Sequence, residues 1–297
     1  MIVLELNQLS KAYGKIKALD DLRFTVPEGS VFGILGPNGS GKTTTLSIIL
    51  DVLQADKGTY SWFGQPPHYT HRKKIGSLLE TPNLYHYLTA VQNLRITKEI
   101  SGRGSNDDIE RVLNLVNLSE RKNDRFSTYS LGMKQRLAIA AALLGDPRVL
   151  VLDEPTNGLD PVGIAEIREL IRDLAKKGHT IIMASHLLDE VEKICDHVAI
   201  LKKGKLIASG TVESVLADED CILLQASDLV KLAEVMKHFA GIKKLVTSAE
   251  GLLCFFENGS LSSEDINMYC FQQGLVLSQI TLKKKRLEEK FFELTGV

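Results

Sequence analysis

The sequence predicts an α/β protein: a parallel sheet core covered by helices, an antiparallel N-terminal sheet, an inserted helical subdomain, and a small α+β module after it. Three observations carry this. Short apolar runs at residues 30–35, 149–152 and 180–185 alternate with amphipathic stretches of helical length, the pattern of parallel strands joined by helices. The first run passes through a glycine-rich turn straight into a helical stretch. After Gly210 the pattern changes to short strands and helices of a different rhythm.

A chain of 297 residues accommodates one large domain or two ordinary ones. Its composition, 44% hydrophobic and 25% charged, supports a buried core and excludes disorder and collagen-like repeats. The 36 basic and 37 acidic residues leave a net charge of −1, too little positive charge for a general nucleic-acid partner, so none is expected. The longest apolar runs, such as Val149–Leu152, fall well short of the roughly 20 residues of a membrane-spanning helix. Residues 1–7 lack the basic and apolar segments of a signal peptide, so a cytoplasmic location is expected. Cys195, Cys221, Cys254 and Cys270 form no Cys-x-x-Cys pair, which fits reduced thiols better than disulfides or zinc.

In chain order, Val3–Leu6 and Leu22–Val26 read as antiparallel strands, with turns at Tyr13-Gly14 and at Pro27-Glu28-Gly29. Ser30–Leu35 reads as a buried strand, and Lys42–Val52 as a helix. From about 76 to 145 the pattern is mostly helical, clearest at 107–116 and 133–144, and reads as an inserted subdomain. A strand at 149–152, a helix at 163–176, a strand at 180–185 and a helix at 187–195 complete the core. Thr211 caps a short helix to Leu216, and the acidic run 217–220 reads as a linker, so domains are expected at 1–216 and 217–297. The second domain reads as strands at 222–225, 244–247, 252–257 and 275–280, helices at 229–239 and 263–272, and a last helix ending near Gly296. Without that last helix, the order βαββαβ is ferredoxin-like.

The turn Gly36-Pro37-Asn38-Gly39-Ser40-Gly41-Lys42-Thr43 matches the phosphate-binding loop pattern, followed by Thr44. Its glycines let successive backbone N–H groups face phosphate oxygens, and the helix starting there adds its positive dipole end. Lys42 is placed to neutralise β- and γ-phosphates, and the Thr43 hydroxyl to ligate Mg²⁺. Downstream, the apolar run 149–152 ends in Asp153-Glu154. A carboxylate at a buried strand tip beside a phosphate loop gives Mg²⁺ a second protein contact, Asp153. Glu154 is then placed to take a proton from the water attacking the γ-phosphate.

With these residues, Tyr129-Ser130-Leu131-Gly132-Met133 resembles the signature motif of the ATP-binding subunits of ABC (ATP-binding cassette) transporters, matching it at Ser130 and Gly132. The resemblance implies a P-loop ATPase cassette that binds ATP and Mg²⁺. By the same resemblance Tyr13 stacks on adenine, and Asn157-Gly158-Leu159-Asp160 runs along a dimer seam. His186 acts as the switch histidine on the γ-phosphate. Glu80 stands where the family normally has Gln, joining the nucleotide site to the helical subdomain, as a contact for Mg²⁺ or water. It implies a head-to-tail dimer of two copies, each Ser130–Gly132 segment closing over the other's ATP. It further implies an integral-membrane permease engaged around Glu80–Tyr87, and hence a peripheral position on the inner membrane face.

Two departures stand out: Glu80 itself, and a signature with Leu131 and Met133 where the family has Gly and Gln. These changes, Asn93-Leu94 and the ending at residues 287–296 are similar to antibiotic and multidrug exporters of the bacitracin-resistance kind. The alternative from another class is a permease-free ABC ATPase acting in translation or DNA repair. Those proteins carry paired cassettes or long coiled coils, whereas this chain has one phosphate loop and no sustained heptads. A GTP-dependent switch would need an Asn-Lys-x-Asp motif, absent here. His68, His71 and His86 read as surface or loop residues, and the basic run 283–286 as a solvated helix face.

Overall fold

Three sheets organise the chain in the computed structural model, which describes residues 1–80, 83–216, 221–248, 250–256 and 263–283. The chain divides into two compact units, residues 1–212 and 213–297.

In the first unit, β1 (Ile2–Tyr13) and β2 (Ile16–Pro27) form a long antiparallel hairpin, with β4 (Lys57–Trp62) on the other edge of β1. Each hairpin strand has 12 residues, far longer than the apolar cores that announce them, because their outer ends alternate polar with half-buried positions. The six-stranded sheet has the order β5-β6-β7-β3-β8-β9. Its members are β3 (Val31–Leu35), β5 (Ile75–Leu78), β6 (Val149–Asp153), β7 (Thr180–Ser185), β8 (His197–Lys202) and β9 (Lys205–Thr211). All pairs are parallel except β8 with β9. Strands β3, β6 and β7 are buried along their whole length, as expected where both faces of a parallel sheet are covered. The phosphate-loop helix α1 is Lys42–Ile49, shorter than expected. Between the two sheets lies a core that includes Leu4, Leu22, Phe32, Leu46, Trp62 and Val151. Phe24 stacks on Phe32 with ring centroids 5.3 Å apart.

The helical insertion contains α2 (Ala90–Ser101), α3 (Asn106–Leu115) and α4 (Leu131–Leu143). Thr89 and Gln92 form a reciprocal capping box on α2, and the Ser105 hydroxyl caps α3. The expected start of this insertion near residue 76 needs correction, since residues 75–78 are edge strand β5, in parallel register with β6. Four residues with a central glycine are too short for periodicity to declare a strand. Gly76 is there because α4 passes against it: a Cβ at this position would lie 2.1 Å from the Ala142 carbonyl oxygen. Helices α5 (Pro161–Lys176) and α6 (Leu188–Ile194) flank the sheet, and α7 is Val212–Leu216. His71, expected at the surface, is 5% exposed, and burial pushes its pKa below the usual histidine value, with Lys74 and His68 adding to the shift.

The second unit has a four-stranded antiparallel sheet ordered β11-β12-β10-β13, from β10 (Cys221–Ala226), β11 (Ile242–Ser248), β12 (Gly251–Phe256) and β13 (Leu277–Lys283). With α8 (Leu229–Met236) and α9 (Ser263–Gln272) this is the ferredoxin-like arrangement. Its helix-side core includes Ile222, Leu224, Leu232, Met236, Leu252, Cys254, Ile266 and Cys270. The expected linker at 217–220 and the last helix lie outside the described residues.

Candidate active site

The C-terminal ends of β3, β6 and β7 lie side by side, which brings the turn after β3, the carboxylates after β6 and the histidine after β7 to one edge of the sheet. A crevice beyond the carboxyl ends of parallel strands is where open α/β sheets bind ligands. The turn is braced from two sides. Thr45 Oγ1 donates to the Gly41 carbonyl at 2.8 Å, and the Gly204 amide donates to the Ser40 carbonyl at 3.0 Å. Gly41 has φ +105°, and a Cβ there would lie 2.6 Å from the Ala18 carbonyl oxygen, so only glycine fits. Gly36, Ser40, Gly41 and Lys42 are buried, Pro37, Asn38, Gly39 and Thr43 are exposed, and Thr44 is half-buried.

Lys42 is 6% exposed, and its Nζ donates to the carbonyls of Gly36 at 2.8 Å and Pro37 at 3.4 Å. The same nitrogen lies 3.3 Å from Glu154 Oε1, and Glu154 Oε2 lies 2.8 Å from His186 Nδ1. A buried cation, a carboxylate and an imidazole therefore form one chain, in which Glu154 has a basic partner on each side. Glu154 adopts a left-handed φ of +48°, a conformation costing a non-glycine residue about 1–2 kcal/mol, and its amide donates to the Ala184 carbonyl at 3.0 Å. Strand β7 thus holds both Glu154, through Ala184, and His186, directly after its last residue.

Asp153 is 1% exposed and accepts a hydrogen bond from the Thr43 hydroxyl at 2.8 Å through Oδ2. Its other oxygen, Oδ1, is buried with no partner among the described residues. Burial pushes the Asp153 carboxyl above the usual carboxylate range; the Thr43 bond opposes this, the Glu154 charge adds to it, Lys42 opposes it and Glu80 adds to it. A buried carboxylate oxygen without a donor, next to a hydroxyl, is a hard-oxygen set that fits Mg²⁺, which takes one or two carboxylates together with substrate phosphates. Glu80 is exposed at φ +55°, two residues beyond β5, whose neighbour is β6.

Among the described residues, no hydrogen bond or ion pair joins Tyr13, Ser130 or Gly132 to this cluster. Tyr13 ends β1, 52% exposed. Ser130 is exposed and caps α4, its hydroxyl accepting from the Met133 amide at 3.3 Å. Beside Gly132 there is open space, the nearest atom to an added Cβ being Gly163 Cα at 4.0 Å. Asp160 caps α5 in the same manner through the Gly163 amide. Sequence reasoning missed Gly204, Ala184 and Thr45, which brace the site through backbone contacts that no single-sequence motif marks.

A glycine-rich loop feeding a helix, with a lysine, a threonine and a strand-tip carboxylate converging beyond it, defines a phosphate-loop nucleotide hydrolase. Residues 19–157 match the family model described as ABC transporter. Over 304 residues the chain is 39% identical to the uncharacterised ABC transporter ATP-binding protein YhcH of Bacillus subtilis (strain 168), covering 99% of this chain and 96% of that protein. It is 36% identical over 301 residues to the bacitracin transport ATP-binding protein BcrA of Bacillus licheniformis, covering 99% of this chain and 97% of that one. A nucleotide-free ATP-binding cassette from an ABC transporter superposes with a TM-score of 0.67 at 28% identity, over 73% of this chain and 96% of that one. The chain belongs to the ABC transporter family, as an ATP-binding subunit of the kind that couples ATP hydrolysis to transport.

Proposed function

We propose that two copies of this chain close head to tail around ATP and Mg²⁺ and drive a separate integral-membrane permease that exports antibiotics or other hydrophobic compounds. The observation that carries the reading is the meeting of Thr43 and Asp153 at 2.8 Å, with Asp153 Oδ1 unpaired, beside the Lys42–Glu154–His186 chain. Mg²⁺ held by Thr43 and Asp153, with Glu80 nearby, would supply charge neutralisation at the phosphates. The amides of residues 36–44 and the start of α1 receive the phosphate oxygens, and Lys42 exchanges its carbonyl partners for them. Glu154 takes the proton of the attacking water, oriented by His186, which also reaches the γ-phosphate. Tyr13, half-exposed at the end of β1, offers a ring face to adenine.

Ser130 and Gly132 stand at an exposed helix N-terminus with open space beside the glycine, which supports a role toward the ATP of a second copy. Tyr85 and Tyr87, 46% and 68% exposed, supply an aromatic surface for the permease within residues 80–87. No helix among the described residues is long and apolar enough to cross a membrane, so a membrane position would come through that permease. The relative named for bacitracin transport supports an antibiotic cargo. Co-expression with candidate permeases and co-purification from membranes tests the reading: a permease complex whose ATPase responds to bacitracin-like compounds supports it. ATPase activity indifferent to every permease and cargo would reject it.

A further inference from the structure

Helix α6 has seven residues, and its N-cap, Leu187, offers it no side-chain hydrogen bond. A helix this short is placed by its neighbours rather than by its own stability. Val191 and Cys195 press on β3, where a Cβ at Gly33 would lie 2.7 Å from Val191 Cγ1 and 3.0 Å from Cys195 Sγ. The second support is α5, 16 residues long, capped by Asp160 and buried at Ile167, Leu170, Ile171 and Leu174. Arg168 of α5 meets Glu190 of α6 twice: Nη2 donates to Oε1 at 2.6 Å and Nε to Oε2 at 3.3 Å. One turn further along α5, Arg172 Nη2 donates to the Lys193 carbonyl at 2.6 Å.

Glu190 is 5% exposed. Taking a carboxylate and a guanidinium out of water offsets most of their attraction, and a well-packed apolar pair of similar volume holds two helices together as well. What the fork adds is direction, because two roughly parallel bonds fix the rotation of α6 against α5 as well as its distance. His186 depends on that rotation. It stands two residues before the first residue of α6, and the Leu187 amide is tied back to the Ser185 hydroxyl at 3.0 Å, so little slack separates helix and imidazole. The side chain of His186 is 35% exposed, and among the described residues its ring bonds to Glu154 alone, so burial does not fix it. We propose that Arg168 and Glu190 are positioning residues for ATP hydrolysis: their fork holds α6, and through it His186 Nδ1, at bonding distance from Glu154. This rests on the role given to His186 under the proposed function.

A double-mutant cycle tests it on the full-length chain, comparing the parent, Glu190→Gln, His186→Ala and the protein carrying both changes. Single-turnover hydrolysis with ATP and Mg²⁺, equilibrium binding of a fluorescent ATP analogue and thermal unfolding would be measured for each. Glutamine keeps an oxygen for one bond but not the charged fork. Glu190→Gln is expected to slow hydrolysis about tenfold and to leave nucleotide affinity within about twofold of the parent. In the His186→Ala background the same change should cost less than about twofold, since the group it positions is gone. Should Glu190→Gln fail to fold, Arg168→Lys, which keeps the charge without the fork, takes its place in the cycle with the same expectation. Equal slowing in both backgrounds means that the pair serves the fold alone and overturns the proposal. Parent-like hydrolysis in Glu190→Gln beside a slow His186→Ala overturns it too, and leaves the role of His186 standing. Parent-like hydrolysis in His186→Ala removes that role, and the proposal with it.

Discussion

Replacing Glu154 by Gln separates the shape of the central carboxylate from its basicity. The amide oxygen can still accept from Lys42, 3.3 Å away in the native chain, and the amide nitrogen can meet His186 Nδ1, now 2.8 Å from Oε2. The left-handed backbone and its bond to Ala184 do not depend on side-chain charge. The fold and nucleotide affinity are therefore expected to persist, with an unfolding midpoint within a few degrees of the parent. What disappears is proton acceptance: a positioned general base contributes about 10²–10⁴-fold, so single-turnover hydrolysis should slow about 10³-fold, roughly 4 kcal/mol of activation free energy. Rapid-quench turnover with ATP and Mg²⁺, equilibrium binding of a fluorescent ATP analogue, and size-exclusion chromatography give three independent readings. Normal binding, slow hydrolysis and an ATP-dependent dimer are the expected set. Hydrolysis within threefold of the parent would refute Glu154 as the base, and loss of binding would show that the carboxylate is needed to hold Lys42 in place.

Three further outcomes are expected. Lys42→Ala should reduce ATPase activity to background, because removing a 6%-exposed ammonium leaves phosphate charge uncompensated; most activity remaining would mean that the loop is not the working site. A chain ending at residue 216 should fold and bind ATP with little change, since every candidate nucleotide residue precedes it, and calorimetry plus nucleotide titration would expose a dependence of the cassette on the second unit. Burial raises the thiol pKa values of Cys195 and Cys270, and pushes Cys254 up to about 12, with Cys270 and Cys221 adding to its shift. Raised values mean less thiolate, so their alkylation in the native chain should stay slow between pH 7 and about 9.5, while denatured protein should accelerate through the ordinary thiol value of about 8.5. Acceleration of native Cys254 over that range would show that its site opens to solvent.

Elements with strong periodicity or a dedicated motif were legible in the sequence. The buried strands β3, β6 and β7, the phosphate loop and the tail order βαββαβ all announce themselves through apolar runs, glycine spacing and caps. Edge elements were not. Strand β5 is four residues long, and its place is decided by hydrogen bonds to β6 and by α4 pressing on Gly76. The hairpin β8–β9 was likewise unannounced, although its turn glycine, Gly204, braces the phosphate loop. In the tail, the run Leu252-Leu253-Cys254-Phe255 does not say which residues face the core; the register places Leu252 and Cys254 there, with Ile222 and Leu224, and sends Leu253 and Phe255 to the opposite face. A strand apolar at every position has no alternation to tell its faces apart, and pairing decides.

The same division runs through the site. Residue chemistry alone selected Lys42, Thr43, Asp153 and Glu154, because phosphate and Mg²⁺ demand a particular set of donors and oxygens at a strand-to-helix turn. Their mutual distances are a property of the sheet. Thr43 meets Asp153 because β3 and β6 both pair with β7, and His186 meets Glu154 because β7 holds one by its carbonyl and ends at the other. Local sequence determines which groups the chain carries and on which kind of element. Contacts between residues more than a hundred positions apart exist only once the parallel strands are in register, and that register is decided by burial of both sheet faces at once.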